Sequence, residues 1–187
     1  MRHGFTNAVT LPSDAVSKEI RLWFEWFRAE RESKGIVHDI DLFAIVVNKY
    51  GRIAQDADLV FYNNWSDPAH IVYFSNDRDY WHEDEDDSIN INLSNATSDT
   101  GTIIIFAHLH DAVSRRHVFS QLTSFSMHNN CGLKMDNPII FRDLPSTELM
   151  MLCEIKKLND RWIFAPSGIG YSGDLMQFLK EYGLDLE

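Results

Sequence analysis

Short apolar runs separated by turn residues recur along the chain, and they predict strands. Leu42–Val47 is apolar and rich in β-branched residues, the composition of a buried strand, and Asn48-Lys49-Tyr50-Gly51 reads as the turn that closes it. From Ser88 to Leu93, Ile89, Ile91 and Leu93 alternate with Ser88, Asn90 and Asn92, the period of a half-buried strand. Leu59–Tyr62, Ile71–Phe74, Thr102–His110, Val118–Met127, Pro138–Phe141, Thr147–Leu158 and Trp162–Ala165 extend the series to about nine strands. Their connectors carry Asn, Asp, Pro and Gly, as in Asn63–His70, Ser94–Gly101 and His128–Gly132. Such spacing, with little helix between the strands, favours an antiparallel β-sandwich over an alternating α/β fold.

Two stretches differ. Ile20–Ala29, IRLWFEWFRA, fits a helix with Ile20, Trp23, Phe24 and Phe27 on one face behind a Ser13 or Asp14 cap. It fits equally a strand in which Ile20, Leu22, Phe24 and Trp26 share a face. Near the end, Leu175, Met176, Phe178, Leu179 and Tyr182 fall at helical spacing between Gly173 and Gly183. Asp174–Tyr182 is therefore expected to be a short amphipathic helix lidding one end of the sandwich. The predicted class is mainly β, an antiparallel β-sandwich with a short C-terminal helix. Residues 1–18 read as an N-terminal extension and residues 19–187 as the sandwich domain.

Composition narrows the function classes. A chain of 187 residues with 44% hydrophobic content is sized for one domain with a substantial core. Its formal net charge of −11 argues against nucleic acid, which needs a basic face, and against anionic membrane surfaces. No run approaches the roughly 18 apolar residues of a membrane span. Cys131 and Cys153 are too few for a disulfide framework and lack zinc-site spacing, which fits a reducing cytoplasm. Cys153 lies in an apolar run, whereas Cys131, between Asn130 and Gly132, is expected to be exposed.

The densest chemistry lies in Asn76–Ser88, NDRDYWHEDEDDS, where seven carboxylates fall within thirteen residues. Like charges this close repel; they persist as a solvated loop or around a cation that turns the repulsion into attraction. A second carboxylate pair, Asp39 and Asp41, and an amide pair, Asn63 and Asn64, each stand at the end of an apolar run. His108, His110 and Asp111 form an HxHD string that would suit a transition-metal hydrolase if further ligands joined it. No other histidine offers a clear one. Asp56 and Asp58 read as a solvated turn, and Gly168–Gly173 as a turn before the helix rather than a phosphate loop.

Taken in order, these segments resemble the tellurium-resistance TerD family from Asp39 onward. Asp39-Ile40-Asp41 stands where the family has DLD, and Asp56–Asn64, DADLVFYNN, is close to its DADFVFYNN. Asp77 and Asp86-Asp87 keep the spacing of its acidic loop ends, His110-Asp111-Ala112 falls on its IHDA, and Gly168–Gly173 on its GQGYAGG. The family's loop glycines are replaced here by Asn76, Trp81, Glu83 and Glu85, and Arg78 stands where the family has Asn. Ahead of Asp39 the resemblance is thin.

The resemblance implies a compact β-sandwich that binds calcium through clustered acids and serves bacterial stress systems linked to tellurite and phage resistance. It carries the ligand set Asp39, Asp41, Asn63, Asp77, Asp86 and Asp87, with Asn64 and Asp79 behind them. It makes His110 and Asp111 a structural pair. Calcium, a hard ion that takes six to eight oxygens in irregular geometry, suits such donors. Two expectations stand: a non-catalytic calcium-binding protein working with other proteins of a stress-response assembly, and a metal-free interaction domain whose acidic loop docks a basic partner.

Overall fold

The computed structural model describes residues 8–28, 39–74, 88–132, 138–173 and 175–184. Two antiparallel sheets face one another. The first has six strands in the order β1 (Val9–Thr10), β11 (Arg161–Tyr171), β10 (Leu149–Leu158), β7 (Thr100–Leu109), β3 (Ile40–Asn48) and β4 (Leu59–Val60). The second has five: β5 (Val72–Phe74), β6 (Ser88–Ile91), β2 (Ile20–Arg28), β8 (Leu122–Asn129) and β9 (Ile139–Phe141). The mainly β sandwich expected from the sequence is thus the observed class. Ile20–Arg28 resolves as a strand, and it holds the middle of the five-stranded sheet with Ile20, Leu22 and Phe24 fully buried. Its neighbours explain the outcome: β6 and β8 satisfy its backbone on both sides, which a helix at this place would forgo.

One continuous core fills the space between the sheets. Leu42, Ala44 and Val46 of β3 and Ile103, Ile105 and Ala107 of β7 meet Leu22, Phe24, Ile89, Ile91, Phe125 and Met127 of the other sheet. The alternate residues of β3 and β7, Phe43, Ile45, Ile104 and Phe106, point the other way, yet they are buried too. Their cover is a helix, Leu175–Glu181, whose Phe178 and Leu179 pack on them; Phe178 meets Phe106 edge-on at 5.3 Å. The C-terminal helix therefore lies across the outer face of the six-stranded sheet and does not lid an end of the sandwich. Helical periodicity fixes which face is apolar but not what it covers.

Other differences from the sequence reading have local causes. Gly168–Tyr171 continues β11 instead of forming a turn, paired as Met151↔Ile169, Met150↔Gly170 and Leu149↔Tyr171. A Cβ at Gly170 would sit 2.3 Å from Thr147 Oγ1 and 2.4 Å from Pro145 Cβ, so close approach rather than turning demands the glycine. Ser88 and Asn90 are buried along with Ile89 and Ile91, making β6 more enclosed than its alternation predicts. Cys131 is buried, not exposed; its backbone N–H and its thiol both donate to Asn129 Oδ1, at 3.3 and 3.1 Å. Of the N-terminal residues set apart in the sequence, Val9 and Thr10 pair with Phe164 and Ile163, and Leu11 and Ala15 are buried in the main core.

Burial perturbs three protons. It pushes the Cys153 thiol up, with the charges of Glu154 and Cys131 adding to the effect. Burial also raises the phenols of Tyr171, which packs against Phe178 of the helix, and of Tyr182, which directly follows it; Glu154 and Glu181 reinforce both, and Tyr171 adds to the effect on Tyr182. All three hold their protons more tightly folded than unfolded, so their contribution is complete below the unfolded values and is lost as pH rises. Unfolding in urea is expected to show stability declining above about pH 8.5 through the thiol and more steeply above about pH 10 through the phenols. Tyr182→Phe should flatten the upper part of that decline.

Candidate functional site

The head of β3 organises one end of the sandwich. Ile40 pairs with Leu109 and Asp41 with His108, which brings the turn after β7 against the residues that open β3. Asp39 is exposed, and its carbonyl accepts a 2.8 Å hydrogen bond from the His110 N–H. Asp41 falls on the same side of the sheet as Phe43, and its carboxylate is 28% exposed. His110 Nδ1 lies 3.3 Å from Asp41 Oδ2, and Nε2 lies 3.6 Å from Asp111 Oδ2. Arg115 Nη2, one helical turn on, stands 3.6 Å from the same Asp111 oxygen. The result is a chain of alternating partners, Asp41, His110, Asp111 and Arg115, so His110 and Asp111 form a contacting pair and Asp41 joins it. Asp111 takes a left-handed φ of 51°, a conformation Asp tolerates better than most residues.

The amide pair reaches the same end. β4 pairs Val60 with Ala44, and the stacked rings of Phe61 and Phe43, 6.3 Å apart, carry that alignment toward the start of β3. Phe61 and Asn64 exchange both backbone hydrogen bonds at 2.9 Å, closing a turn with Tyr62 and Asn63 exposed at its tip. Asn64 Nδ2 donates to Leu59 O at 2.6 Å and to Ala57 O at 3.0 Å. Its amide nitrogen is thus spent on holding the turn, and Oδ1 is the atom left to meet a cation.

Asp77, Asp79, Asp86 and Asp87 lie outside the described residues, as does the rest of 75–87. The strands on either side of that segment are informative. Phe119 and Ser120 donate to the carbonyls of Thr147 and Pro145 near the head of β10, so β8 starts at the same end as β7 finishes. β2, antiparallel to β8, therefore runs toward that end; β5 leaves toward it and β6 returns from it. Asp39, Asp41, Asn63 and Asn64 thus share the end of the sandwich at which β5 stops and β6 starts. Among the described residues no three carboxylates, imidazoles or thiolates converge on a point that a metal ion would occupy.

The remaining candidates have structural surroundings. His108 packs edge-on against Phe43, with ring centroids 6.2 Å apart, while His110 sits in the turn beyond the strand. Asp58 is buried rather than solvated: its carboxylate accepts from the Ala54 and Gln55 N–H groups at 3.3 Å and holds the turn before β4.

Residues 7–182 match the model of the TerD domain. Tellurium resistance proteins TerD of an Alcaligenes species and of Serratia marcescens are each 26% identical over 159 residues, 83% of this chain and 83% of theirs. General stress protein 16U of Bacillus subtilis is 28% identical over 156 residues, 80% of each chain. A solved homologue of a telluride resistance protein from Streptomyces coelicolor superposes with a TM-score of 0.67 at 14% identity. That alignment covers 87% of this chain and 95% of the other, and it establishes the shared fold.

Asp67, which the sequence marks only as a residue of the Asn63–His70 loop, holds that loop together. It is 3% exposed, and its carboxylate accepts from three backbone N–H groups: Ala69 at 2.9 Å, Ile71 at 2.7 Å and Val72 at 2.6 Å. This knot fixes the loop that leads from the Asn63 turn into β5. Asp67→Ala would leave buried donors unpaired and is expected to cost about 2–4 kcal/mol in urea unfolding. Asp67→Asn, which keeps one oxygen for Ile71 and Val72, should cost less than half of that.

Proposed function

The chain belongs to the TerD domain family, and from that premise we propose that it is a non-catalytic calcium-binding protein of a bacterial, tellurite-resistance type of stress response. The observation that carries the reading is the placing of Asp39, Asp41, Asn63 and Asn64, whose side-chain Oδ1 is not used in the turn, at one end. At that same end β5 stops and β6, the next strand after the seven-carboxylate segment, starts. The donor chemistry fits: carboxylate and amide oxygens on separate strand ends and turns suit a hard ion that accepts irregular coordination. Asp39, Asp41 and Asn63 would hold the ion, with Asp77, Asp79, Asp86 and Asp87 supplying the rest of the charge and Asn64 a neutral oxygen. Bound there, calcium supplies charge neutralisation, binding the acidic segment to the sandwich. A cytoplasmic setting beside other proteins of the same assembly accords with two buried cysteines that are both free thiols.

One observation favours a second reading. Asp111 meets the guanidinium of Arg115, and Asp41 and Asp111 both lie against the His110 ring, so part of the acidic end already has partners within the chain without a metal. On that reading the protein is a metal-free interaction domain, and its remaining carboxylates dock a basic partner.

Thermal unfolding separates the two. A ligand that binds only the folded state at a hundredfold excess over its Kd contributes about 2.7 kcal/mol, which for a domain of this size raises Tm by about 5–10 °C. Calcium is expected to produce that rise and magnesium a smaller one, because magnesium dehydrates reluctantly and demands a stricter octahedron. Asp41→Asn, Asp77→Asn and Asp87→Asn should each remove most of the rise. Asp99→Asn, whose carboxylate pairs with Lys49 at the other end of β3, should retain it. An unmoved melting curve at millimolar calcium would transfer the proposal to the metal-free domain.

A further inference from the structure

His110 has a place at the acidic end that its motif does not disclose. Ile40 opposes Leu109 in the β3–β7 ladder, so Asp39 stands opposite His110, and the His110 N–H donates to the Asp39 carbonyl at 2.8 Å. Asp41 is then the diagonal neighbour of His110 on the same face, at a spacing that a ring side chain spans. The contact is made: His110 Nδ1 lies 3.3 Å from Asp41 Oδ2. One residue thus grips both acids at the head of β3, Asp39 by its carbonyl and Asp41 by its carboxylate.

The chain on either side holds His110 in place. Leu109, fully buried, donates its N–H to Glu148 O at 2.9 Å. Ala112, 4% exposed, anchors the following turn in the main core. Between them the Asp111 carbonyl accepts from the Arg115 N–H at 3.0 Å and from the Ser114 hydroxyl at 2.9 Å.

An ionised carboxylate only accepts, so Nδ1 is the nitrogen that donates to Asp41. Asp111 Oδ2, 3.6 Å from Nε2, is beyond hydrogen-bond reach and stands equally near the Arg115 guanidinium. The His110 bond therefore occupies one oxygen of Asp41, and Oδ1 takes no hydrogen bond among the described residues. We propose that His110 is a positioning residue for the cation: it fixes the Asp41 carboxylate through Oδ2 and leaves Oδ1 for the ion. The assignment rests on the calcium reading above. Carboxylates that ligate metals are themselves hydrogen-bonded from behind, and an uncharged N–H orients such a group without cancelling its charge, as lysine or arginine would. On the metal-free reading the same contact satisfies Asp41 in place of an ion, so the two readings predict opposite effects when the ring is removed.

The test is calorimetric titration of the full chain, freed of divalent ions, with calcium at about pH 8, above the ordinary imidazole range. His110→Leu, which keeps bulk without a donor, is expected to weaken calcium binding by about tenfold, the low end of the cost of losing a partner behind a metal ligand. His110→Asn, whose Nδ2 stands where Nδ1 does, should restore most of that affinity. Melting curves of the calcium-free variants show that both fold; a merely structural role would lower both curves alike and leave the two affinities equal, which overturns the assignment. It is overturned equally if the Leu variant binds calcium as tightly as the wild type or more tightly. A wild type that gives no calcium heat overturns the calcium reading itself, and the assignment with it.

Discussion

The pairing of β3 with β7 is the constraint on which the rest depends. These two strands are covered on both faces, by the second sheet on one side and by the C-terminal helix on the other, so nearly every side chain along them is buried. Buried strands of this kind lose their hydrogen-bond partners and their packing together if the register moves, because a one-residue slip exchanges the two faces. The register in turn sets both polar ends of the molecule. At one end Asp41 meets His108 and the turn that carries His110; at the other Asn48 meets Thr100 across the Gly101 bulge.

Much of this was legible from sequence, for identifiable reasons. The uninterrupted apolar runs of Leu42–Val47 and Thr102–His110 are the buried central strands, and the Asn48–Gly51 turn closes β3 through a Gly51 N–H to Asn48 O hydrogen bond of 2.9 Å. The Ile20–Arg28 strand was undecidable because its aromatic residues satisfy both periods; only the neighbours on each side select one. Helical spacing places the helix within a residue of its observed bounds, Leu175–Glu181, but does not show that it covers the outer face of the six-stranded sheet. The cue was the apolar character of both alternating sets in β3 and β7, which requires a cover on each side. Gly168–Gly173 reads as a turn because glycine permits turning, whereas Gly170 permits the close approach of Pro145 and Thr147 within a strand.

The candidate site was legible in outline. Asp39 and Asp41 were marked by their place before an apolar run, and Asn63 by the turn that follows another; those positions are strand ends, and strand ends gather. What the sequence could not convey is the use of carboxylates as backbone acceptors. Asp58 and Asp67 look like ordinary loop residues, yet each is buried and satisfied by N–H groups close by in the chain.

On the proposed reading, one end of the sandwich takes a hard cation through oxygens at the head of β3 and in the turn after β4. The most direct measurement is a calcium titration of chelator-stripped protein followed by backbone amide spectra, with the heat of binding recorded in parallel. Saturable heat is predicted, with amide shifts concentrated at Asp39–Asp41, Asn63–Asn64 and His110–Asp111 and with the amides of Lys156 and Lys157 unmoved. Absence of heat, or shifts spread evenly over the carboxylates of the whole surface, would contradict it.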